Sequence, residues 1–377
     1  MNSPNSTQHN QQNTQSAQSS KQPSSITKPK TVGTGVLSAT LSIAKSATQQ
    51  AVRWLSGTTG GAGRALGYIA SLPGINNPFV RRVASVLRLD WLLGMTNQVD
   101  VEKAKATVKA LQQQYPHESP SQIVHRLMVR KALDAGKIGF MSSLIPGVAV
   151  ALLALDLAAT TALQTELVYE IAAAYGLDLH DPARKGEVLA IFGLALGGGN
   201  AVKAGLGFLR NVPLAGTLIG ASTNATVLYS VGYAASRYYE AKLNETSAEP
   251  TTETLQQIQQ ESEQYLNVAI AQQTLMDQIL AHMILASHPD KNWENILPEL
   301  KSMQLEPNSL KTIEANLHTP QPLDALLQQL NCDFAVPLFA QCQQLAQRDR
   351  ILSDEEKEIL DAIAGKCQTQ LVEAIPH

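Results

Sequence analysis

The chain has 377 residues, which is enough for two or three domains with an ample hydrophobic core. Hydrophobic residues make up 44% of it and aromatic residues only 5%, so the composition argues against a β-sandwich or β-barrel and favours an all-α fold. The net charge of −3 hides an asymmetry, because residues 1–89 hold nine Lys or Arg and no Asp or Glu, and the remainder therefore carries −12. Positive charge without interleaved aromatic residues argues against nucleic-acid recognition.

Residues 1–33 form a leader of mostly polar residues that we expect to be disordered, since it cannot bury enough apolar surface to offset the entropy of ordering. Residues 1–31 contain no apolar run, so we expect no secretory signal peptide. A basic, acid-free opening is typical of a segment that binds anionic lipid, and also of an organellar transit peptide. We favour lipid binding because the amphipathic pattern continues well beyond the length of a transit segment.

Two basic amphipathic helices are predicted within residues 34–98. Their sequences are VLSATLSIAKSATQQAVRWL and FVRRVASVLRLDWLL, in which apolar side chains recur at helical spacing. Basic helices that carry Trp commonly lie in the membrane interface, although they also occur as ordinary helices packed on a neighbouring domain. The residues predicted to face lipid are Leu41, Trp54, Leu55, Phe79, Trp91, Leu144 and Ile145, and those predicted to contact head groups are Lys45, Arg53, Arg81, Arg82 and Arg88.

An apolar section dominates a predicted helical domain at residues 99–245. Its uncharged windows are 138–155, 188–202 and 211–236. A membrane-spanning helix needs about 20 consecutive apolar residues, and each window is too short or too polar for a simple span. Pro146 and Gly147 also interrupt the first window, which predicts broken hairpins that enter one leaflet or pack in a protein core. Asp156 either pairs with Lys203 in this bundle or marks the boundary with water.

The polar stretch 246–254 predicts a linker, and residues 255–377 predict a soluble, acidic, helical domain. The periodic pattern predicts helices at about 255–287, 293–304, 309–317, 323–330, 333–347 and 353–372. The last of these opens with a capping box, because Ser353 precedes Glu356 by three residues. The chain is thus predicted to hold a leader, basic helices, an apolar hairpin domain and a C-terminal helical bundle.

The apolar section resembles the EcsC family and the related YcjF-like domain that accompanies GTPases. The resemblance is carried by SSLIPGVAVALLALDL, by the stop and restart AAAYGLDLHDP, and by the second hairpin NVPLAGTLIGASTNATVLYSVGYAASRYYE. It covers residues 132–240. The resemblance implies membrane association and an accessory role, since neither family has an established catalytic activity.

The C-terminal domain resembles the TerB-like helical domain. The resemblance is carried by AQRDRILSDEEKEILDAIA, in which Asp349 and Glu356 match the acidic positions of the family. Arg350 stands where the family has Gly, so the turn lacks a residue that adopts the left-handed conformation without steric cost. Asp349 and Glu356 are the metal-ligand candidates that this resemblance offers, but the departure at Arg350 argues against a bound metal.

Chemical motifs are sparse. The stretches GTTGGAGRALG and GGGNAVKAG lack the Gly-Lys-Ser/Thr ending of a phosphate-binding loop, and no GxSxG nucleophile motif is present. We therefore expect no cofactor and no enzymatic activity, and a hydrolase that uses Asp156 and Glu166 is the enzymatic alternative. Cys332, Cys342 and Cys367 form no CxxC pair, which predicts free thiols in a reducing compartment.

The function predicted from the sequence is non-enzymatic membrane association on the cytoplasmic side. The basic helices dock to anionic lipid, the apolar hairpins insert shallowly, and the acidic C-terminal domain binds a protein partner, such as a GTPase or transporter in another chain. The alternative is a soluble helical adaptor whose hairpins pack on each other or on a second copy in a homo-oligomer. No nucleic-acid partner is expected.

Overall fold

The structure is a computed structural model that describes residues 96–141, 149–196, 221–245, 249–289, 291–302, 307–347 and 352–374. Regular secondary structure in these ranges is helical throughout, which confirms the predicted all-α fold. All of these residues belong to one compact unit, Ile43–His377. The predicted leader and both basic amphipathic helices lie outside the described residues.

The helices of the described ranges are labelled in chain order. They are α1 Val101–Gln114, α2 Pro120–Met141, α3 Ala149–Ala174, α4 Ala183–Leu196, α5 Ala221–Asn244, α6 Thr252–Ala286, α7 Trp293–Ser302, α8 Pro307–His318, α9 Leu323–Gln329, α10 Cys332–Ala346, α11 Asp354–Lys366 and α12 Gln368–Ala374. The central helices are α2, α5, α6 and α10. Helix α5 packs along both α2 and α6, and α10 packs against α2 and α6. The remaining helices pack on these four or on one another.

Local sequence signals explain several helix ends. Asp100 caps α1, and its carboxylate accepts a hydrogen bond from the Lys103 N–H at 2.9 Å. Ser353 and Glu356 form the predicted capping box at the start of α11. Gly176 follows α3 with a φ of 77°, a left-handed conformation that glycine adopts at no steric cost. These ends agree with the signals visible in the sequence.

One hydrophobic core runs across the stretch that was predicted as a linker between two domains. Its buried members include Leu167 on α3 and Tyr239 on α5, but also Ile279 on α6 and Phe334 on α10. The linker lies between α5 and α6, which pack along each other over much of their length. α6 already begins at Thr252, inside the predicted linker, and polar composition does not reveal that the helices on either side bury their apolar faces against one another.

A proline inside α10 is compensated by a tyrosine from α5. Pro337 has no N–H, so the Asp333 carbonyl one turn earlier lacks its usual intrahelical donor. The hydroxyl of Tyr229, which is fully buried, donates to that carbonyl at 2.7 Å. The tyrosine ring also packs on Phe334, with centroids 4.7 Å apart. A side chain from a neighbouring helix thus satisfies a backbone group that the proline leaves open.

The helices α2 and α10 approach closely at Gly136. A Cβ atom at this position would lie 2.6 Å from the Pro337 carbonyl oxygen and 2.8 Å from its Cα, and neither backbone atom has freedom to move aside. Gly365 in α11 presents the opposite case, because a Cβ there would meet nothing within 4 Å. Substituting alanine at Gly136 therefore tests tight packing, whereas the same substitution at Gly365 tests helix propensity alone.

We expect Gly136→Ala to lower the free energy of unfolding by about 1–3 kcal/mol through overpacking. Gly365→Ala is expected to raise it by up to about 1 kcal/mol, because alanine restricts the unfolded chain and favours the helix. Urea unfolding followed by circular dichroism measures both. A Gly136→Ala variant as stable as the Gly365→Ala variant would show that α2 and α10 do not approach so closely.

The cysteine prediction is wrong for two of the three residues. Cys332 and Cys367 form a disulfide, with their Cα atoms 5.1 Å apart. Cys342 is free and buried, and burial raises the pKa of its thiol to about 12. The structure also differs from the sequence prediction at the end of the chain. The single helix predicted at 353–372 is divided at the disulfide residue Cys367 into α11 and α12. The spacing of cysteines along a chain does not show which of them meet in the fold.

The apolar windows lie only partly within the described ranges. α3 holds the end of the first window, whereas Pro146, Gly147 and the predicted break between them lie outside. Among the described helices, none is both long enough and apolar enough to cross a bilayer.

Candidate functional site

A cluster of charged residues lies where α1, α2 and α3 meet, and two of its members, Lys131 and Glu170, are buried. It comprises Lys103 on α1, Lys131 on α2, and Glu166 and Glu170 on α3, and we call it the α1–α3 ionic cluster. The Lys131 ammonium lies 3.1 Å from a carboxylate oxygen of Glu166 and 3.1 Å from one of Glu170. The Lys103 ammonium lies 3.0 Å from the other oxygen of Glu166, which makes an ion pair without an aligned hydrogen bond.

The two carboxylates of this cluster have opposite electrostatic environments. Glu170 is only 1% exposed and its Oε2 has no hydrogen-bond partner, and burial raises its pKa to about 7 despite the attraction of Lys131. Burial also disfavours ionisation of Glu166, but Lys131 and Lys103 outweigh it and hold the pKa of that carboxyl below its usual range. The pairing with Glu166 in turn raises the pKa of Lys103.

Helical spacing explains how α3 supplies both acids, because residues four apart lie on one helix face. Lys131 joins them from α2, where it is itself almost fully buried. The two acids therefore differ in their electrostatics: burial favours the neutral form of Glu170, whereas the two lysines favour the ionised form of Glu166.

The hydrolase alternative names Asp156 and Glu166. Both residues belong to α3, ten residues apart, which corresponds to about 15 Å along the axis. Glu166 is engaged by two lysines, whereas the side chain of Asp156 lies outside the described residues, so this alternative stays a prediction.

A second set of buried charges joins α4 to α5, and we call it the α4–α5 ionic cluster. Glu187 is 0% exposed and pairs with the guanidinium of Arg184, which is itself 3% exposed. The Lys242 ammonium lies 2.5 Å from Glu187 Oε1. Arg184 also reaches Asp181 at 3.2 Å and faces the Tyr239 ring at 5.8 Å from the centroid. Burial and the neighbouring Arg184 lower the pKa of Lys242.

All residues predicted as membrane contacts are outside the part of the chain that the structure describes. These are Leu41, Lys45, Arg53, Trp54, Leu55, Phe79, Arg81, Arg82, Arg88, Trp91, Leu144 and Ile145. Asp156 lies on α3, but its side chain and the whole of Lys203 are outside the described residues. Their proposed pairing stays a prediction.

Only one of the two acidic metal candidates, Glu356, lies within the described residues. Glu356 is almost fully buried and is bound on both oxygens, by the Ser353 N–H at 2.9 Å and by the Ser287 hydroxyl at 2.5 Å. Asp349 lies outside the described ranges. Within those ranges, no group of three His, Cys, Asp or Glu side chains is placed to hold a metal ion.

The buried charged residues of the bundle were not predicted from the sequence. Helical periodicity places Glu166 and Glu170 away from the apolar stripe of α3, and no role was expected for Lys131, Arg184 or Lys242. The available signals were two acids four residues apart on α3, and an Arg–Glu pair three residues apart on α4. Neither signal distinguishes a solvated face from a buried one.

Comparisons of the chain with protein-family models, with curated proteins and with solved structures found no match. The similarity to EcsC and TerB-like domains therefore rests on the quoted residues alone. The described part of the chain defines a helical bundle with a shared core and two buried ionic clusters.

Proposed function

We propose that this chain is a non-enzymatic, membrane-associated helical protein. The basic helices within residues 34–98 dock to anionic lipid, shallow apolar hairpins reinforce the attachment, and the folded bundle is presented to a protein partner on the cytoplasmic side. The observation that carries the proposal is the separation of charge along the chain: residues 1–89 hold nine Lys or Arg and no acidic residue. Each basic residue near an anionic surface contributes about 1 kcal/mol to binding at low salt.

The opposite charge of the C-terminal region supports a division of roles. Residues 255–377 contain seven Lys or Arg and seventeen Asp or Glu, a net charge of −10. Exposed acids on α11 include Asp354, Glu355, Glu358 and Asp361. Anionic lipid repels such a surface, so the acidic region faces away from the membrane and suits a partner with basic contacts, such as a GTPase or a transporter in another chain.

A soluble helical adaptor is the second candidate, and one observation favours it. The core shared by α3, α5, α6 and α10 buries apolar helix faces without any contribution from lipid. In this alternative the remaining apolar windows pack within the protein or against a second copy. Membrane fractionation separates the two functions, because a carbonate wash releases an adaptor and leaves an inserted hairpin in the pellet until detergent is added.

The direct test is co-sedimentation of the full chain with anionic and with neutral vesicles. Replacing Lys45, Arg53, Arg81, Arg82 and Arg88 by Gln is expected to weaken binding to anionic vesicles by at least about a hundredfold at low salt and to flatten its salt dependence.

A matched variant has the same change of charge on exposed lysines of the bundle. It replaces Lys109, Lys301, Lys311, Lys357 and Lys366 by Gln. This variant is expected to bind vesicles as the unmodified chain does. Equal loss of binding in the two variants would show that only total charge matters, and no loss in either would rule out docking through the basic helices.

A further inference from the structure

The short helix α12 covers an apolar groove between α2 and α10. Leu371 of α12 packs with Val129 and Leu133 of α2 and with Val336 and Ala340 of α10, in a cluster separate from the main core. α12 is seven residues long, and an isolated helix of that length is not stable in water. Its position therefore depends on this groove and on how its ends are attached.

The disulfide supplies that attachment. Cys367 lies at the junction of α11 and α12, and Cys332 is the first residue of α10. The start of α10 is itself held firmly: the Asn331 N–H donates to Gln272 on α6 at 2.7 Å, and the Asp333 carbonyl accepts from Tyr229 on α5. The covalent bond thus fixes the beginning of α12 to a well-anchored point of the bundle.

The two sulfur atoms differ in accessibility. Cys332 is partly exposed, whereas Cys367 is 1% exposed. An external thiolate therefore attacks Sγ of Cys332, the S–S bond breaks, and its electron pair passes to Sγ of Cys367, which takes a proton. The second thiol of a dithiol reductant then displaces Cys332 as a thiol, and the reductant leaves as its own disulfide.

Sγ of Cys332 lies 3.7 Å from the Lys366 carbonyl oxygen, in the last turn of α11. After reduction the Cys332 thiol is a weak donor beside this acceptor, but no covalent bond then holds Cys367 and α12.

We propose that Cys332–Cys367 is a redox latch for α12. The disulfide holds α12 over the groove formed by Val129, Leu133, Val336 and Ala340, and reduction by a dithiol releases the helix and exposes the groove. In a reducing compartment, disulfides are commonly transient and redox-sensing rather than permanent. The latch does not involve lipid, so its test is independent of the proposed membrane function.

Hydrogen exchange of the full chain, read by mass spectrometry with and without dithiothreitol, tests the latch. Denatured protein is expected to show one thiol before reduction and three afterwards. Reduction is expected to accelerate exchange in peptides covering residues 368–374 by roughly ten- to a hundredfold. Peptides of α2 that cover Val129 and Leu133 are expected to respond in the same direction, while the centres of α5 and α6 stay unchanged.

Two variants complete the design. Cys332→Ser is expected to show the fast exchange of α12 whether or not reductant is present, and Cys342→Ala is expected to keep the response because that thiol is not in the bond. Three thiols before reduction would overturn the proposal, as would an α12 that exchanges equally in both states. Acceleration throughout all helices would also overturn it, since the disulfide would then stabilise the whole fold rather than latch one helix.

Discussion

Replacing Glu187 by Gln is expected to lower the free energy of unfolding by about 3–5 kcal/mol. Glu187 is completely buried, and its carboxylate is the counter-charge for both Arg184 and Lys242. Glutamine keeps the shape of the side chain but removes its charge, which leaves two cations in a poorly solvated site, with the half-exposed Asp181 and the more distant charge of Glu249 as weaker compensation. Urea unfolding of the purified chain measures the loss.

An exposed ion pair provides the control for this prediction. Arg237 and Glu240 are linked at 2.7 Å, but both side chains are more than a third exposed. Water screens such a pair, so Glu240→Gln is expected to cost less than about 1 kcal/mol. Equal effects of Glu187→Gln and Glu240→Gln would contradict the assignment of the α4–α5 ionic cluster as a buried structural unit.

Replacing the whole α4–α5 ionic cluster tests the physical cause. The triple variant Arg184→Met, Glu187→Leu, Lys242→Met removes every uncompensated charge together with its desolvation cost. Apolar replacements of buried ionic triads are often neutral or stabilising. We therefore expect the triple variant to recover most of the stability lost in Glu187→Gln. A triple variant less stable than the single one would mean that the cluster contributes through specific geometry.

The stability of the bundle is expected to fall between about pH 4.5 and 7 because of Glu170. Its pKa is about 7 in the folded protein, against 4.5 for an ordinary glutamate. In that window the folded state holds a proton that the unfolded state has lost, so the contribution of Glu170 is largest below pH 4.5 and is lost as the pH rises through 7. A shift of this size corresponds to about 3 kcal/mol.

Glu170→Gln isolates this effect from other titrating groups. The free energy of unfolding of the variant, minus that of the unmodified chain, is expected to increase by about 3 kcal/mol from pH 4.5 to 8. The depressed pKa of Glu166 acts in a different window, since its contribution is present above pH 4.5 and is lost only as the pH falls further. Glu253→Gln, at an exposed position on α6, is the matched control and is expected to leave the difference flat.

A constant difference for Glu170→Gln across this range would show that the carboxyl is solvated and that α1, α2 and α3 do not enclose it. Unfolding curves at matched ionic strength are needed, because salt weakens the lysine contacts of the α1–α3 ionic cluster.

Sequence by itself determined the helical class and many of the helix positions. The helix predicted at 255–287 is observed as α6 at Thr252–Ala286, and the one predicted at 333–347 is observed as α10 at Cys332–Ala346. The capping box of Ser353 and the left-handed stop at Gly176 also occur as expected. These features depend on residues within one or two turns of each other, so the sequence contains all the information they need.

Only the tertiary structure decided which distant residues meet. The Cys332–Cys367 bond, the burial of Glu170 and Glu187, and the single core across the predicted linker each join helices that are far apart in sequence. Burial of a charge depends on the neighbouring helix that covers it, and helical periodicity describes only one helix at a time. The helix predicted at 353–372 is likewise divided at Cys367, the residue that the disulfide links to Cys332 on α10.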